Sequence, residues 1–275
     1  MVHVVNVSKV FDSDKGHPVQ AIDGISLTVP EGQILAVVGP SGCGKSTLLK
    51  LIAGFEKPTS GAVYDKQGED ITGPGTDRGV VFQQPTLFPW LDVEANVEFA
   101  ATVRGADEGR AIKEAAAQLI DIVGLSAART RYPHELSGGM QQRAQIARVL
   151  ATCPEVVLMD EPFGALDPFT REQLHAELLR AWNRYRPTIV FVTHSVEEAL
   201  LLADRVVVMA PNPGRVIREI EVPESVRATK ISEDVVADRQ KLQATLREHA
   251  SDPVLVDLRH ALKEAIVDAH GLVSQ

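Results

Sequence analysis

The sequence predicts an α/β fold with a mixed or parallel sheet, and three observations lead to this prediction. A wholly apolar run, ILAVV at residues 34–38, is followed at once by a glycine-rich loop and a helix. Two further apolar runs, residues 156–159 and 188–192, flank a helix at residues 171–185, and this order implies parallel pairing through a right-handed crossover. Residues 85–150 instead show helical periodicity, which predicts an inserted helical subdomain.

The segments before this core read as strands. Residues 2–11 and 18–29 alternate roughly between apolar and polar positions, so we expect an N-terminal antiparallel β subdomain. Residues 46–53 follow the glycine-rich loop as a helix, and Gly54 is suited to end it.

The residues after Pro223 have a different character. Apolar residues recur at helical spacing on two faces, which predicts two amphipathic helices. These helices could pack on the parent domain or form a dimer or partner surface. We therefore expect one main domain over residues 1–222, with the helical subdomain at about 85–150, and a C-terminal helical extension over residues 223–275.

Composition restricts the class of protein. The chain has 275 residues with 44% hydrophobic and 24% charged residues, as in ordinary globular proteins. Its net charge of -9 repels phosphate backbones, so we expect no nucleic-acid partner. The N-terminus does not read as a signal peptide, and no apolar run reaches the ~18 residues of a membrane span.

The two cysteines, Cys43 and Cys153, predict neither a disulfide framework nor a metal site, which fits a reducing compartment. Cys43 lies in the glycine-rich loop just before a helix start, a position that favours the thiolate form. The alternative is a buried and inert thiol.

The glycine-rich loop carries the clearest chemical signal. It reads GPSGCGKS and matches the pattern G-x-x-x-x-G-K-[ST]. Its glycines let successive N–H groups approach a phosphate, and the helix start adds unpaired donors and a positive dipole end. Lys45 can reach the β- and γ-phosphates, and the Ser46 hydroxyl can bind Mg²⁺. ATP and Mg²⁺ are thus the predicted cofactors, and the predicted binding residues of this segment are Gly39, Pro40, Ser41, Gly42, Cys43, Gly44, Lys45, Ser46 and Thr47.

Polar residues follow the two later strands. Asp160 and Glu161 come directly after residues 156–159, and His194 comes soon after residues 188–192. Ligands of open parallel sheets bind at the carboxyl ends of the strands. We expect Asp160 to hold the metal, Glu161 to orient an attacking water and His194 to contact the γ-phosphate. Taken alone, each of these residues would be read as structural.

Residues 136–143 read LSGGMQQR and require a separate interpretation. Ser137 occupies an N-cap position, with Gly138 and Gly139 at the opening of a helix. The exposed N–H groups of a helix start can bind an anion, but an ordinary capped helix would look the same.

The order of these motifs resembles that of the nucleotide-binding subunits of ATP-binding cassette transporters. The matching segments are GPSGCGKS, VFQ ending at Gln83, LSGGMQQR, VVLMDEP, ALD ending at Asp167 and VTH ending at His194. They lie in the stretch from residue 2 to about residue 220. The resemblance implies an ATPase with a P-loop NTPase core.

The resemblance also implies a role for each matching residue. Phe11 would stack on adenine, Gln83 would sense Mg²⁺ and the γ-phosphate, and Asp167 would lie at a dimer seam. Ser137, Gly138 and Gly139 would close over the ATP held by the other subunit. The predicted catalytic residues are Lys45, Gln83, Glu161 and His194, and the predicted metal ligands are Ser46, Gln83 and Asp160.

Shorter motifs resemble the nitrate, sulfonate and taurine importer subgroup. They are LFPW at residues 87–90 with Val93 and Asn96 after it, PFGALDPFTR, and the turn PGR at residues 213–215. Ser195 departs from the Asp usual after the family histidine. Phe88 and Trp90 indicate either a packed corner or a contact patch. Nitrate, taurine, alkanesulfonates, bicarbonate and thiamine precursors all remain open as cargo.

The resemblance implies a homodimer on the cytoplasmic face of the cell membrane, peripheral to a separate transmembrane permease. A periplasmic or extracellular solute-binding protein would deliver the solute. One alternative is an efflux or lipoprotein-release motor. Another is a soluble cassette ATPase acting on DNA or ribosomes, which the net charge disfavours.

Overall fold

The computed structural model describes residues 1–12, 16–164 and 166–271. The strands are β1 Val2–Phe11, β2 Val19–Val29, β3 Ile34–Val38, β4 Ser60–Tyr64, β5 Arg78–Val81, β6 Val156–Asp160, β7 Thr188–Val192, β8 Arg205–Ala210 and β9 Arg215–Glu221. The α-helices are α1 Lys45–Ala53, α2 Val93–Glu98, α3 Ala106–Ile122, α4 Gly138–Ala151, α5 Pro168–Tyr185, α6 Val196–Leu202, α7 Glu233–Ala237, α8 Arg239–Ala250 and α9 Pro253–Gly271.

The chain divides into two compact units. The first unit comprises Met1–Gly75, Thr188–Lys230 and Arg247–Gln275, and the second comprises Thr76–Pro187 and Ile231–Leu246. Residues 272–275, at the end of the predicted extension, and Ala165, which begins the ALD motif, lie outside the described residues. Each unit has its own sheet strands and its own helices.

The first unit holds two groups of strands. β2, β1 and β4 form an antiparallel sheet in that order, as expected for the N-terminal part. β3 pairs in parallel with β7 on one side and with β8 on the other, and β9 continues antiparallel to β8. Every residue of β3 and of β7 is buried, which explains why both strands read as uninterrupted apolar runs.

A buried carboxylate fixes the start of β3. Asp204 Oδ2 accepts a 2.8 Å hydrogen bond from the Ile34 N–H, and the other carboxylate oxygen accepts one from the Thr229 hydroxyl. Asp204 is 6% exposed, so these partners replace water at a charged group. The strand that leads into the glycine-rich loop is thereby anchored at its other end.

The second unit pairs one short parallel ladder with helices. β5 and β6 run in parallel, with Val81 opposite Met159. Helices α2 and α3 both pack on α4, and α5 packs on α4 and on α7. Gly124 follows α3 in the left-handed conformation, with φ of 67°, which is typical of a glycine just after a helix end.

The described residues after Pro223 form three α-helices, α7, α8 and α9, where periodicity predicted two. α9 packs on α6 and on β8, with Leu262 fully buried and a 2.7 Å ion pair between Lys263 and Glu197. This contact supports the alternative in which the tail packs on its parent domain. Among the described residues, no helix combines the length and the apolar composition that crossing a lipid bilayer would require.

Candidate functional site

The glycine-rich loop runs from the end of β3 to the start of α1. Gly39, Gly42 and Gly44 all have positive φ, at 153°, 78° and 91°. A Cβ atom at Gly39 would lie 2.4 Å from the Met209 carbonyl oxygen, and one at Gly44 would lie 2.8 Å from that of Ala21. Glycine is therefore required at both ends of the loop by backbone conformation and by space.

Lys45 places a positive charge under this loop. Its side chain is 7% exposed, and Nζ donates 2.8 Å hydrogen bonds to the carbonyl oxygens of Gly39 and Pro40. The first N–H groups of α1, which begins at this lysine, have no acceptor within the helix. A buried ammonium and a helix start at one loop together make a site for an anion of phosphate type.

The environment of Cys43 differs from the one expected for a residue just before a helix start. The thiol is fully buried, and its Sγ lies 3.8 Å from Lys45 Nζ. Burial raises the pKa of the Cys43 thiol above its ordinary value, and the nearby Lys45 ammonium lowers it only in part. The prediction of an activated thiolate is therefore wrong, because desolvation outweighs the attraction of the positive groups.

His194 emerges at the same sheet edge as the glycine-rich loop. β3 and β7 are neighbours, with Val37 opposite Val192, so Gly39 and His194 both follow the carboxyl ends of paired strands. The preceding residue, Thr193, is buried and donates its hydroxyl to Glu198 Oε2 at 2.6 Å. His194 itself is exposed, held between a buried threonine and the start of α6.

Phe11 ends β1 in the first unit, where it pairs with Val19. Its ring is half-buried, and Lys9 Nζ lies 4.8 Å from the ring centroid. A flat aromatic surface thus remains partly open at the edge of the antiparallel sheet.

In the second unit, the predicted water-orienting carboxylate meets the predicted sensor glutamine. Gln83 Nε2 donates a 3.1 Å hydrogen bond to Glu161 Oε2. The two residues come together because β5 and β6 pair in register just before them. Glu161 has φ of 46°, a conformation that costs a non-glycine residue free energy and often occurs at functional sites. Asp160 precedes it as the last residue of β6.

The LSGG segment opens α4 in the same unit. Ser137 is the N-cap and its Oγ accepts from the Met140 N–H at 3.3 Å, so this much is an ordinary capped helix. A Cβ atom at Gly139 would lie 2.4 Å from Thr170 Cγ2, whereas one at Gly138 would meet open space. Gly139 is thus a packing requirement, while Gly138 is exposed.

Asp167 is the N-cap of α5. Its Oδ1 accepts from the Thr170 N–H at 3.0 Å, and its Oδ2 accepts from the Thr170 hydroxyl at 2.6 Å. These hydrogen bonds lower the pKa of the Asp167 carboxyl, so the carboxylate form is favoured. Through Thr170 the starts of α4 and α5 touch, which joins the LSGG segment to Asp167.

Sequence reasoning missed two polar residues that tie α4 to the segment after Gln83. Gln145, fully buried, donates to the Phe82 carbonyl at 2.8 Å and accepts from the Thr86 N–H at 2.6 Å. Arg148 donates to the Thr86 carbonyl at 3.0 Å. The sequence signal for these contacts was a set of polar residues three positions apart, Gln142, Gln145 and Arg148, which this spacing places on one side of the helix.

The comparisons with known proteins identify the family of the chain. The sequence matches the ABC transporter family profile over residues 22–164. It is 47% identical over 256 residues to an ABC transporter ATP-binding protein of Methanocaldococcus jannaschii, a match that covers 93% of each chain. The chain belongs to the ABC transporter family. The resemblance that the motif order suggested is confirmed.

Two further relatives of this ABC protein have named substrates. It is 43% identical over 263 residues to the taurine import ATP-binding protein TauB of Jannaschia sp., covering 96% of this chain and 92% of the relative. It is 45% identical over 221 residues to the nitrate import ATP-binding protein NrtD of Synechocystis sp., covering 80% and 82%.

Solved structures of ABC cassettes have the same fold. The dimeric cassette MJ0796 aligns with a TM-score of 0.71 at 32% identity, covering 81% of this chain and 99% of that one. The same cassette in a post-hydrolysis dimer bound to ADP and Pi aligns with a TM-score of 0.68 at 30% identity, over the same shares. The predicted fold class is confirmed, and the chain is an ATPase.

Proposed function

We propose that this ABC ATPase is the motor subunit of an importer for a small solute. The chain would work as one of a pair on the cytoplasmic face of a membrane, driving a separate permease that receives solute from a solute-binding protein. The observation that carries this proposal is the similarity to taurine and nitrate import ATP-binding proteins over most of both chains. Nitrate is an oxyanion and taurine is a zwitterion that carries a sulfonate group, so we propose a small cargo with an anionic oxygen-bearing group.

The first unit would bind the triphosphate. Lys45 and the N–H groups of residues 39–47 would hold the β- and γ-phosphates, since they combine a buried cation with a helix start. Phe11 would stack on the adenine ring. His194 would donate to the γ-phosphate. Its ring is exposed, and the preceding Thr193 is held by its hydrogen bond to Glu198, so the ring is available to a bound nucleotide.

Three oxygen donors would hold Mg²⁺. The Ser46 hydroxyl, the Asp160 carboxylate and the Gln83 amide oxygen are hard ligands of the kind Mg²⁺ prefers, so the donor set fits the ion. When bound, the ion would neutralise negative charge that develops on the phosphates during hydrolysis.

Glu161 would orient the attacking water and accept its proton. The Gln83 amide already donates to the Glu161 carboxylate, which fixes the direction of the carboxylate before nucleotide arrives. Ser137, Gly138 and Gly139 of a second subunit would add N–H donors to the γ-phosphate, and Asp167 would lie at the seam between the subunits. Gly138 has open space around it, as a residue that approaches a ligand closely requires.

The Glu161→Gln variant tests this assignment. The amide keeps the size and hydrogen-bonding reach of the side chain but cannot accept the proton of the water. We expect phosphate release to fall by at least about a hundredfold, while ATP affinity stays close to that of the wild type. The variant should form a stable dimer with ATP, measurable by size-exclusion chromatography.

Glu248→Gln is the matched control, because Glu248 is an exposed residue of α8 outside the site. It should hydrolyse ATP at the wild-type rate. Near-wild-type ATP hydrolysis by Glu161→Gln would show that Glu161 does not activate the attacking water. It would not bear on the residues proposed to bind ATP.

A further inference from the structure

The turn PGR between β8 and β9, which the sequence marks as a subgroup motif, lies against the back of the phosphate-binding loop in the first unit. We infer that Gly214 and the ion pair of Arg215 with Asp23 position this loop and thereby set its affinity for nucleotide. The inference rests on the proposed role of residues 39–46 and adds three positioning residues to it.

Gly214 is in close contact with the loop. A Cβ atom on this buried residue would lie 2.4 Å from the Cys43 carbonyl oxygen and 2.6 Å from the Ala21 carbonyl oxygen. Its φ lies outside the left-handed region, so alanine could adopt the backbone conformation itself. Space alone therefore requires glycine here, and any larger residue must displace backbone atoms.

The contact with Cys43 bears directly on a phosphate donor. In a trans peptide the carbonyl and the next N–H point in opposite directions. Because Gly214 fixes the direction of the Cys43 carbonyl, it also fixes that of the Gly44 N–H, which is one of the donors of the loop. A shift of the turn would rotate this peptide and misdirect the donor.

The turn is held in place by β2. The Gly214 N–H donates to the Ala21 carbonyl at 3.0 Å, and the Asp23 N–H donates to the Gly214 carbonyl at 3.0 Å. Arg215 adds two hydrogen bonds to Asp23 Oδ2, from Nε at 2.9 Å and from a terminal nitrogen at 2.6 Å. Gln20 Nε2 donates to the other oxygen, Oδ1, at 3.0 Å, so the carboxylate is oriented from both sides.

The same strand segment also touches the far end of the loop. A Cβ atom at Gly44 would lie 2.8 Å from the Ala21 carbonyl oxygen and 3.1 Å from Ile22 Cγ1. At the near end, the Met209 carbonyl of β8 leaves no room for a Cβ at Gly39. The loop is thus confined at both ends by β2, by β8 and by the turn that follows β8. Preorganised donors of this kind bind phosphate without first having to be ordered.

Gly214→Ala tests the steric part, in a Cys153→Ala background of the full-length chain. The dissociation constant for MgATP should rise by about tenfold, because a displaced peptide misaligns donors at the phosphate. Nucleotide binding would be measured by calorimetry well below the melting temperature. Gly73→Ala is the matched control, since an added Cβ there meets nothing within 4 Å, and it should bind as the background does.

The Cys43 thiol provides a second readout that does not depend on nucleotide. It is buried beneath the loop, so the background protein should react slowly with maleimide. Gly214→Ala pushes on the Cys43 carbonyl and should speed the labelling severalfold, whereas Gly73→Ala should not. A merely structural loss of stability would lower the melting temperature without changing the affinity of the folded protein.

The ion pair is tested separately, which keeps the inference falsifiable if Gly214→Ala does not fold. Arg215→Ala and Asp23→Ala should each weaken MgATP binding by about two- to fivefold, since the pair is partly exposed. Combining Asp23→Arg with Arg215→Asp should restore part of the loss. Arg218→Ala, on the exposed side of β9, is the control and should have no effect.

Wild-type binding is measured first, because a wild type that does not bind MgATP would contradict the proposed function and not this inference. With binding established, unchanged affinity and unchanged Cys43 labelling in Gly214→Ala would overturn the steric role. Equal affinities in the background, Arg215→Ala and Asp23→Ala would overturn the role of the ion pair.

Discussion

Burial alters the proton affinity of individual side chains in the second unit as it does at Cys43 in the first. His175 of α5 is fully enclosed, with its ring edge-on to Phe163 at a centroid distance of 4.6 Å. Its Nε2 meets no hydrogen-bond partner among the described residues. Burial, helped by the positive charge of Arg171, lowers the pKa of His175 to about 3 from an ordinary value of 6.5. The imidazole is therefore neutral in the folded protein at neutral and mildly acidic pH.

This shift predicts a loss of stability in mild acid. The unfolded chain protonates His175 below pH 6.5 and the folded chain does not, so stability falls as the pH drops from 6.5 towards 3. At pH 5.5 the loss is about 1.4 kcal/mol from this residue alone. His175→Leu fills a similar volume without a titrating group and should abolish that part of the pH dependence.

Urea unfolding between pH 5 and pH 8 would measure the effect. The comparison is between the slopes of the free energy of unfolding against pH, so an overall stability change in His175→Leu does not matter. Parallel curves for the two proteins would show that His175 does not titrate as its burial requires.

At the scale of elements, the buried Asn96 side chain holds the backbone of the exposed segment before α2. Asn96 is fully buried, and its Oδ1 accepts from the Phe88 N–H at 2.8 Å. Its Nδ2 lies 2.9–3.1 Å from the carbonyl oxygens of Phe88, Leu91 and Asp92, which share its two hydrogens. The Phe88 ring packs on Phe99 at 4.4 Å, whereas Trp90 is 68% exposed. Phe88 thus forms the packed corner, and Trp90, whose ring centroid lies 5.5 Å from that of Phe88, leaves most of its surface open.

We expect Trp90→Ala to separate transport from ATP hydrolysis. An exposed tryptophan on a segment braced by Asn96 is suited to a contact with the permease, where aromatic anchors dominate binding. Solute uptake by the reconstituted complex should fall roughly tenfold, while the ATPase rate and the melting temperature of the isolated subunit stay unchanged.

Phe88→Ala is the contrasting variant, since its ring also lies 5.2 Å from the Arg148 guanidinium. It should destabilise the isolated subunit by about 2 kcal/mol through lost packing. If Trp90→Ala lowered uptake and isolated-subunit ATPase equally, with a reduced melting temperature, Trp90 would belong to the packed corner instead.

At the scale of the whole molecule, the main prediction is a symmetric pair of composite sites. A phosphate loop from one subunit and an LSGG segment from the other would make each site, and two-fold symmetry would make the two sites equal. The structure guides the choice of reporter positions for a cross-linking test. Gly139 has no room for a side chain, whereas Gly138 has open space and Ser41 is exposed.

The experiment starts from a variant in which Cys43 and Cys153 are Ala and Glu161 is Gln. Ser41→Cys and Gly138→Cys are introduced on separate copies, which are then mixed and oxidised. Disulfide-linked dimers should appear strongly only with ATP, on a denaturing gel without reductant. Gly105→Cys replaces Gly138→Cys in the control, because Gly105 also offers open space but precedes α3.

The control pair should remain monomeric on the gel. Linkage of Ser41→Cys to Gly138→Cys without nucleotide to the same extent, or no linkage with ATP, would contradict the composite site.

The sequence by itself determined the features that local chemistry specifies. The GPSGCGKS loop was recognisable because its glycines, lysine and serine are consecutive and because an apolar strand leads into them. The strands β3, β6 and β7 were predicted as buried from uninterrupted apolar runs. The order of the six motifs added the family, and with it the expected roles of Gln83 and Asp167.

Only the tertiary structure revealed the contacts between residues that are distant in sequence. Gly214 touches Cys43 and Arg215 pairs with Asp23 across stretches of chain that no short motif spans. The charge state of Cys43 likewise depended on burial, which reversed the expectation drawn from its place before a helix. Periodicity and spacing describe which side chains neighbour each other along an element. They do not describe how closely different elements pack. Close packing leaves room only for glycine at position 214, and the burial that it produces favours the protonated Cys43 thiol.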